Sequence, residues 1–206
     1  HTATVRGYVQ DNHDVVVPSM VTANGNDYSV TYVYQAAFAS NRNLTSVVLP
    51  ESVDKLDSFT FSSCPKLHTA ILKCNLKTLG WGMFEMSRNL KHVELPATLE
   101  SVKSEIFSFC FGLQSVTFPN GVKTMGTYIF RECEALESVT LSDSLTAIED
   151  GTFFGCENLN SIELPNSVTE LKKESFDGCT SLATLTIGTG LNSVAIDALA
   201  SCKNIT

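Results

Sequence analysis

Apolar and polar positions recur along this chain at a fixed interval. The pattern is plainest in residues 130–152, FRECEALESVTLSDSLTAIEDGT, which start again at Phe153 as FFGCENLNSIELPNSVTELKKES. Phe38, Phe61, Phe84, Phe107, Phe130, Phe153, Phe176 and Leu199 are spaced 23 apart without insertion, the signature of a repeat protein. Six residues past each stands Leu44, Leu67, Leu90, Leu113, Leu136, Leu159, Leu182 or Ile205. At nine and eleven past come pairs such as Val47/Leu49, Val93/Leu95 and Ile162/Leu164, so each coil reads L-x-x-V-x-L.

The alternating V-x-L predicts one short strand per coil, with outward residues between the buried ones. A coil of 23 residues cannot hide its own Phe, Leu and Val from water. Stacking coils at a strand spacing of about 4.8 Å builds a continuous core, so neighbours supply the stability. Pro50, Pro96, Pro119 and Pro165 follow the strand, where the chain must turn away. Apolar pairs at fifteen and eighteen past the Phe, such as Val53/Leu56 and Leu145/Ile148, are expected to fill the convex side. Few residues remain for a helix, so the expectation is a solenoid with about eight parallel strands and a mostly non-helical convex side.

Residues 1–37 do not fit the interval and read as an N-terminal cap with a lead-in coil, while 38–206 read as seven full repeats plus a partial eighth. In the lead-in, TATVRGYV alternates like a strand, DNHD reads as a turn, and Val15, Val17 and Pro18 mirror Val47, Leu49 and Pro50. Between Pro18 and Val33 nine extra residues include Asn24-Gly25, a tight-turn signal that predicts a small hairpin. At the other end a coil begins and stops at its strand, so the chain is expected to continue. It opens at His1 with no apolar signal core and reads as mature or trimmed.

The composite motif F-x-x-C-x-x-L-x-x-V-x-L-P-x-x-V-x-x-I/L resembles the BspA-like leucine-rich repeats of bacterial surface proteins, also found in some parasitic protists. The resemblance runs through residues 38–206, and the stretch ending in VVVPSMVTANGNDYSVTYV looks like the family's lead-in. It implies a curved, right-handed leucine-rich-repeat solenoid with a parallel β-sheet, exported to the cell surface, and used for adhesion to host or matrix protein. The third coil departs from the pattern, with Ala70, Lys73 and Ser87 in place of Val, Pro and Cys. The motif is structural and names no binding residue.

Charge and chemistry narrow the function classes. Against 14 Lys and Arg stand 22 Asp and Glu, a net charge of −8 that repels phosphate backbones, so nucleic acid is not an expected partner. No apolar run is long enough to insert this segment in a membrane. Six of the seven cysteines sit three past the Phe position, where parallel inward side chains favour free buried thiols that react only on unfolding. No C-x-x-C pair suggests zinc, no His/Glu set converges, and no nucleophile, acid and base stand together, so neither metal nor cofactor is expected, and no enzyme.

What remains is surface. The outward strand positions include Val48, Thr69, Ile71, His92, Glu94, Ser115 and Thr117, the one stretch of the concave face that mixes apolar, acceptor and titratable groups. Elsewhere that face is hydroxyl beside hydroxyl. Phe59, Trp81 and Tyr128 form a second, aromatic candidate, and such side chains serve equally as hot spots and as filler between coils. The expectation is a non-catalytic surface binding module for a protein or a glycan. The alternative is a passive spacer within a larger surface protein.

Overall fold

The computed structural model describes residues 1–8 and 13–205. The chain opens with β1 (Thr2–Val5), β2 (Asp14–Val16), β3 (Met20–Ala23) and β4 (Asn26–Val33). Each following coil adds two short strands: β5 (Ser46–Leu49) and β6 (Lys55–Leu56), β7 (Thr69–Leu72) and β8 (Thr78–Leu79), β9 (His92–Glu94) and β10 (Ser101–Val102). The series goes on as β11 (Ser115–Thr117) and β12 (Thr124–Met125), β13 (Ser138–Thr140) and β14 (Ala147–Ile148). It closes with β15 (Ser161–Glu163) and β16 (Glu170–Leu171), β17 (Thr184–Thr186) and β18 (Ser193–Val194). Among the described residues there is no helix. The molecule is a parallel β-solenoid of the leucine-rich-repeat kind.

The expected strands are the odd-numbered ones from β5, joined by β2, and their register advances by one repeat: Val15 faces Val47, Val47 faces Ala70, and Ala70 faces Val93. The even-numbered strands form a second parallel ladder on the opposite wall, in which Leu79 faces Val102 and Val102 faces Met125. One apolar residue per coil in that wall is too short a signal to announce a strand. Neither ladder is continuous. The first is bonded as β2-β5-β7-β9, β11-β13 and β15-β17, and the second breaks between β6 and β8 and again between β12 and β14.

Between the walls the Phe residues stack. Adjacent rings from Phe38 to Phe176 lie 4.9–5.7 Å apart and within 20° of parallel. Burying each ring is worth about 1.5–3 kcal/mol, and each ring pair adds about 0.5–1.5 kcal/mol. Tyr8 covers the first ring of the stack, 6.3 Å from Phe38.

The small residue three past the Phe has a specific task. The Sγ–H of Cys110, Cys133 and Cys156 donates to the carbonyl of the Phe one coil back at 3.1 Å. Cys64, Cys179 and Cys202 do likewise at 3.0–3.2 Å. Ser87 substitutes for the missing thiol, donating to Phe61 O at 2.8 Å and accepting from Cys64 N at 3.0 Å. All seven cysteines are free. Burial pushes the Cys64 and Cys74 thiols up to about 11 and about 12, and those of Cys110, Cys133 and Cys156 well above the ordinary thiol value. Cys202, in the last coil, is the one of the seven that is only half-buried.

The N-terminal hairpin forms as the Asn-Gly signal predicts: β3 and β4 pair antiparallel, and Asn24 and Gly25 take φ of 50° and 74° at the turn. β1 pairs in parallel with β4, and β4 carries the second ladder on to β6. The strand expected through TATVRGYV stops at Val5; Val9 and two residues of the predicted DNHD turn lie outside the described residues.

Candidate functional site

The alternation that buries Val47, Ala70, Val93 and Val116 turns their neighbours outward. On the first ladder two rows of side chains result, and the expected residues fall in them. Thr69 lies beside His92, and Ile71 beside Glu94, in the β7–β9 register. Val48 faces Ile71 on one side and Val16 on the other. Val16, 71% exposed, therefore extends the aliphatic row to three residues; the sequence reading left it out, although Val15 and Val17 on either side of it mirror Val47 and Leu49. The polar row starts at Asp14, whose Oδ1 accepts the hydroxyls of Ser46 at 2.6 Å and Thr45 at 2.8 Å. Those bonds hold its carboxyl below the usual range.

His92, Glu94, Ser115 and Thr117 come together. With Val93, Leu95, Ala97 and Pro119 they line a shallow groove of about 490 Å³ where β9 and β11 are not ladder-bonded. A similar but smaller groove, about 240 Å³, follows the break between β13 and β15 and is lined by Thr140, Asp143 and Glu163. Val48, Thr69 and Ile71 stand outside the larger groove, on the bonded strands that lead to it.

The aromatic candidates do not share one patch. Trp81, 50% exposed, lines a groove of about 650 Å³ at the break between β6 and β8, among Asp54, Lys55, Lys77 and Lys103. Phe59 and Tyr128 lie two before the ruler Phe, where the backbone is left-handed, with φ of 58° and 55°. One coil further the same position is Gly82 or Gly151, and each ring covers that glycine so closely that a Cβ there would overlap it. Phe59 is thereby filler between coils. Tyr128 has a further contact, to Arg131, whose guanidinium lies 5.6 Å from its ring.

Among the described residues no group of three metal-ligating side chains converges, and no helix is long and apolar enough to cross a membrane. The arrangement offers hydrogen bonds and apolar contact along a wall of parallel strands.

The chain matches the BspA type leucine rich repeat region over residues 20–114 and 82–206, in 6 copies. It belongs to that family. The chain is similar to the crystal structure of the T. pallidum leucine rich repeat protein, at 26% identity and a TM-score of 0.69 over 98% of this chain and 81% of that one. A leucine rich cell surface protein from Faecalibacterium prausnitzii A2-165 is 18% identical over 100% and 89% of the two chains, with a TM-score of 0.46. The TLR13 chain in its complex with ssRNA13 shares the solenoid fold at 18% identity and a TM-score of 0.52, over 86% of this chain and 28% of its own. No curated protein matches the chain.

Proposed function

We propose that this BspA-type solenoid is a non-catalytic binding module, displayed outside the cell, that holds an extended protein segment across the outward face of its first ladder. The observation that carries this reading is the groove of about 490 Å³ that joins His92 and Glu94 to Ser115 and Thr117. The aliphatic row Val16, Val48, Ile71 leads to that groove across bonded strands. An extended chain laid over the strands would set apolar side chains on the row and polar ones in the groove. Family membership supports a recognition role, because a solenoid presents a long surface whose residues vary while its core repeats.

The test is capture of extracellular-matrix and cell-surface proteins by the purified chain, followed by affinity measurement with the captured partner. Ile71→Ser, His92→Ser and Glu94→Ser combined should weaken binding at least about tenfold with an unchanged melting temperature, since outward residues contribute little to the core. Alanine at Ser138, Thr140 and Ser161 is the control and should bind normally. Equal loss in both variants sinks the localised site, and absence of any partner favours the spacer reading.

A further inference from the structure

A second surface lies on the turn edge between the two ladders. Arg131 projects there with its guanidinium 5.1 Å from the Phe109 ring, 5.6 Å from Tyr128 and 5.9 Å from Phe154. Phe109 packs edge-on against Phe111 at 6.3 Å and 82°, and Arg88 lies over Phe111 at 5.4 Å. The result is one unbroken strip of alternating rings and guanidinium groups, Arg88, Phe111, Phe109 and Arg131, ending at Tyr128 and Phe154.

Carboxylates stand on the same turn edge, Glu85 close to Glu105 and Glu132 against Gly155, yet the strip's arginines pair with none of them. With 22 Asp and Glu available, each ion pair among the described residues uses a lysine: Lys77–Glu100, Lys172–Glu149 and Lys173–Glu174. Arg88 and Arg131 take part in none of them. Arg131 Nε is buried without a hydrogen-bond partner. Glu174 shares the small cavity of about 100 Å³ with Tyr128, Arg131 and Phe154, but its carboxylate is engaged by Lys173 Nζ at 3.1 Å. Two guanidinium forks are thus held in place by rings and left free of carboxylates, and an arginine fork matches a carboxylate with two parallel hydrogen bonds. Pre-positioning on aromatic faces removes much of the entropy cost of that bond.

We propose that this strip docks an acidic, extended segment of a protein partner, with Arg131 and Arg88 each taking a carboxylate and the rings taking the apolar side chains between. The two unpaired guanidinium forks select carboxylates. The rings favour a peptide over a sugar, because a guanidinium lies over a face of Phe109 and of Phe111 and the Gly151 backbone lies against Tyr128, which takes away ring face that a sugar would stack on. The site is separate from the first-ladder groove and stands or falls independently of it.

The probe is a fluorescein-labelled synthetic peptide of alternating Asp and Leu, with an Asn/Leu peptide and polygalacturonate as comparison arms, read by anisotropy. The Asp/Leu peptide should bind, the Asn/Leu peptide should not, and Arg131→Lys should weaken binding at least about tenfold by removing the fork while keeping the charge. Arg88→Lys, at an exposed position, should act in the same direction, and the Ile71/His92/Glu94 triple variant should bind as the unaltered chain does. If Arg131→Lys fails to fold, the arginine Nε–H signals of the unaltered protein decide by NMR: two should shift on titration. Absence of peptide binding, full binding by both lysine variants, unshifted Nε–H signals, or tighter binding of polygalacturonate would each overturn the proposal.

Discussion

The residue three past the ruler Phe shows how one hydrogen bond sets a preference. A thiol there reaches the carbonyl one coil back, and Ser87 achieves the same at shorter range while also receiving Cys64 N. Asn41 at the equivalent position turns its Oδ1 to Asn43 N and Leu44 N, leaving its Nδ2 buried without a partner. Ser87→Ala leaves a buried carbonyl and a buried N–H unpaired, so it should cost about 1–3 kcal/mol in urea unfolding. Ser87→Cys should cost less, because the thiol repeats a bond made in six other coils. Equal loss in the two variants would mean that volume alone governs the position.

At the scale of elements the two left-handed turn positions in most coils organise the edge of the solenoid. They fall two before and two after the ruler Phe and are filled by residues as different as Ala36, Phe59, Glu105, Tyr128 and Met86. Gly151 is the demanding case: its φ is 57° and the Tyr128 ring occupies the space of a side chain. Gly151→Ala should therefore destabilise by about 2 kcal/mol or more, combining left-handed strain with displacement of the ring. Adding Tyr128→Ala should return the steric part, seen as a coupling of about 1 kcal/mol or more in a double-mutant cycle. Additive losses would show that the ring does not press on the glycine.

These turns also mark where the sequence becomes silent. Strand register, the Phe stack and the Asn24-Gly25 hairpin are legible because each repeats one residue type or uses a turn with one chemistry. The groove was half legible: His92 and Glu94 stood out as exceptions among hydroxyls, but nothing in the sequence shows that β9 and β11 part there. Of the strip around Arg131 only Tyr128 stood out in the sequence. The strip's members come from four different repeat positions in four coils, and only the stacking of turns brings them together. Positive φ was equally hidden, since backbone bonds to the next coil, such as Phe59 N to Trp81 O at 2.8 Å, hold the turn whatever the side chain.

For the whole molecule the buried thiols act as one titrating system. Their folded pKa values lie above the unfolded value of about 8.5, so their contribution is fully present below that pH and is lost as pH rises towards about 11 and beyond. In that window each thiol that ionises only on unfolding removes about 1.4 kcal/mol per pH unit. Stability should be flat in this respect up to neutral pH and fall steeply above pH of about 9. Melting temperature measured across that range checks it, and serine at Cys110, Cys133 and Cys156 should flatten the fall. An unchanged slope in that variant would place the alkaline transition elsewhere.

The ladder breaks are staggered: β6/β8 and β12/β14 on one wall, β9/β11 and β13/β15 on the other, each between a different pair of coils. This is the arrangement of bonded brickwork. Under tension along the stack, a crack that starts at an open joint meets an intact bonded wall on the opposite side and a ring pair between. A molecule built this way can flex at its joints without tearing through, and when pulled hard enough it should peel coil by coil from an end instead of snapping in the middle.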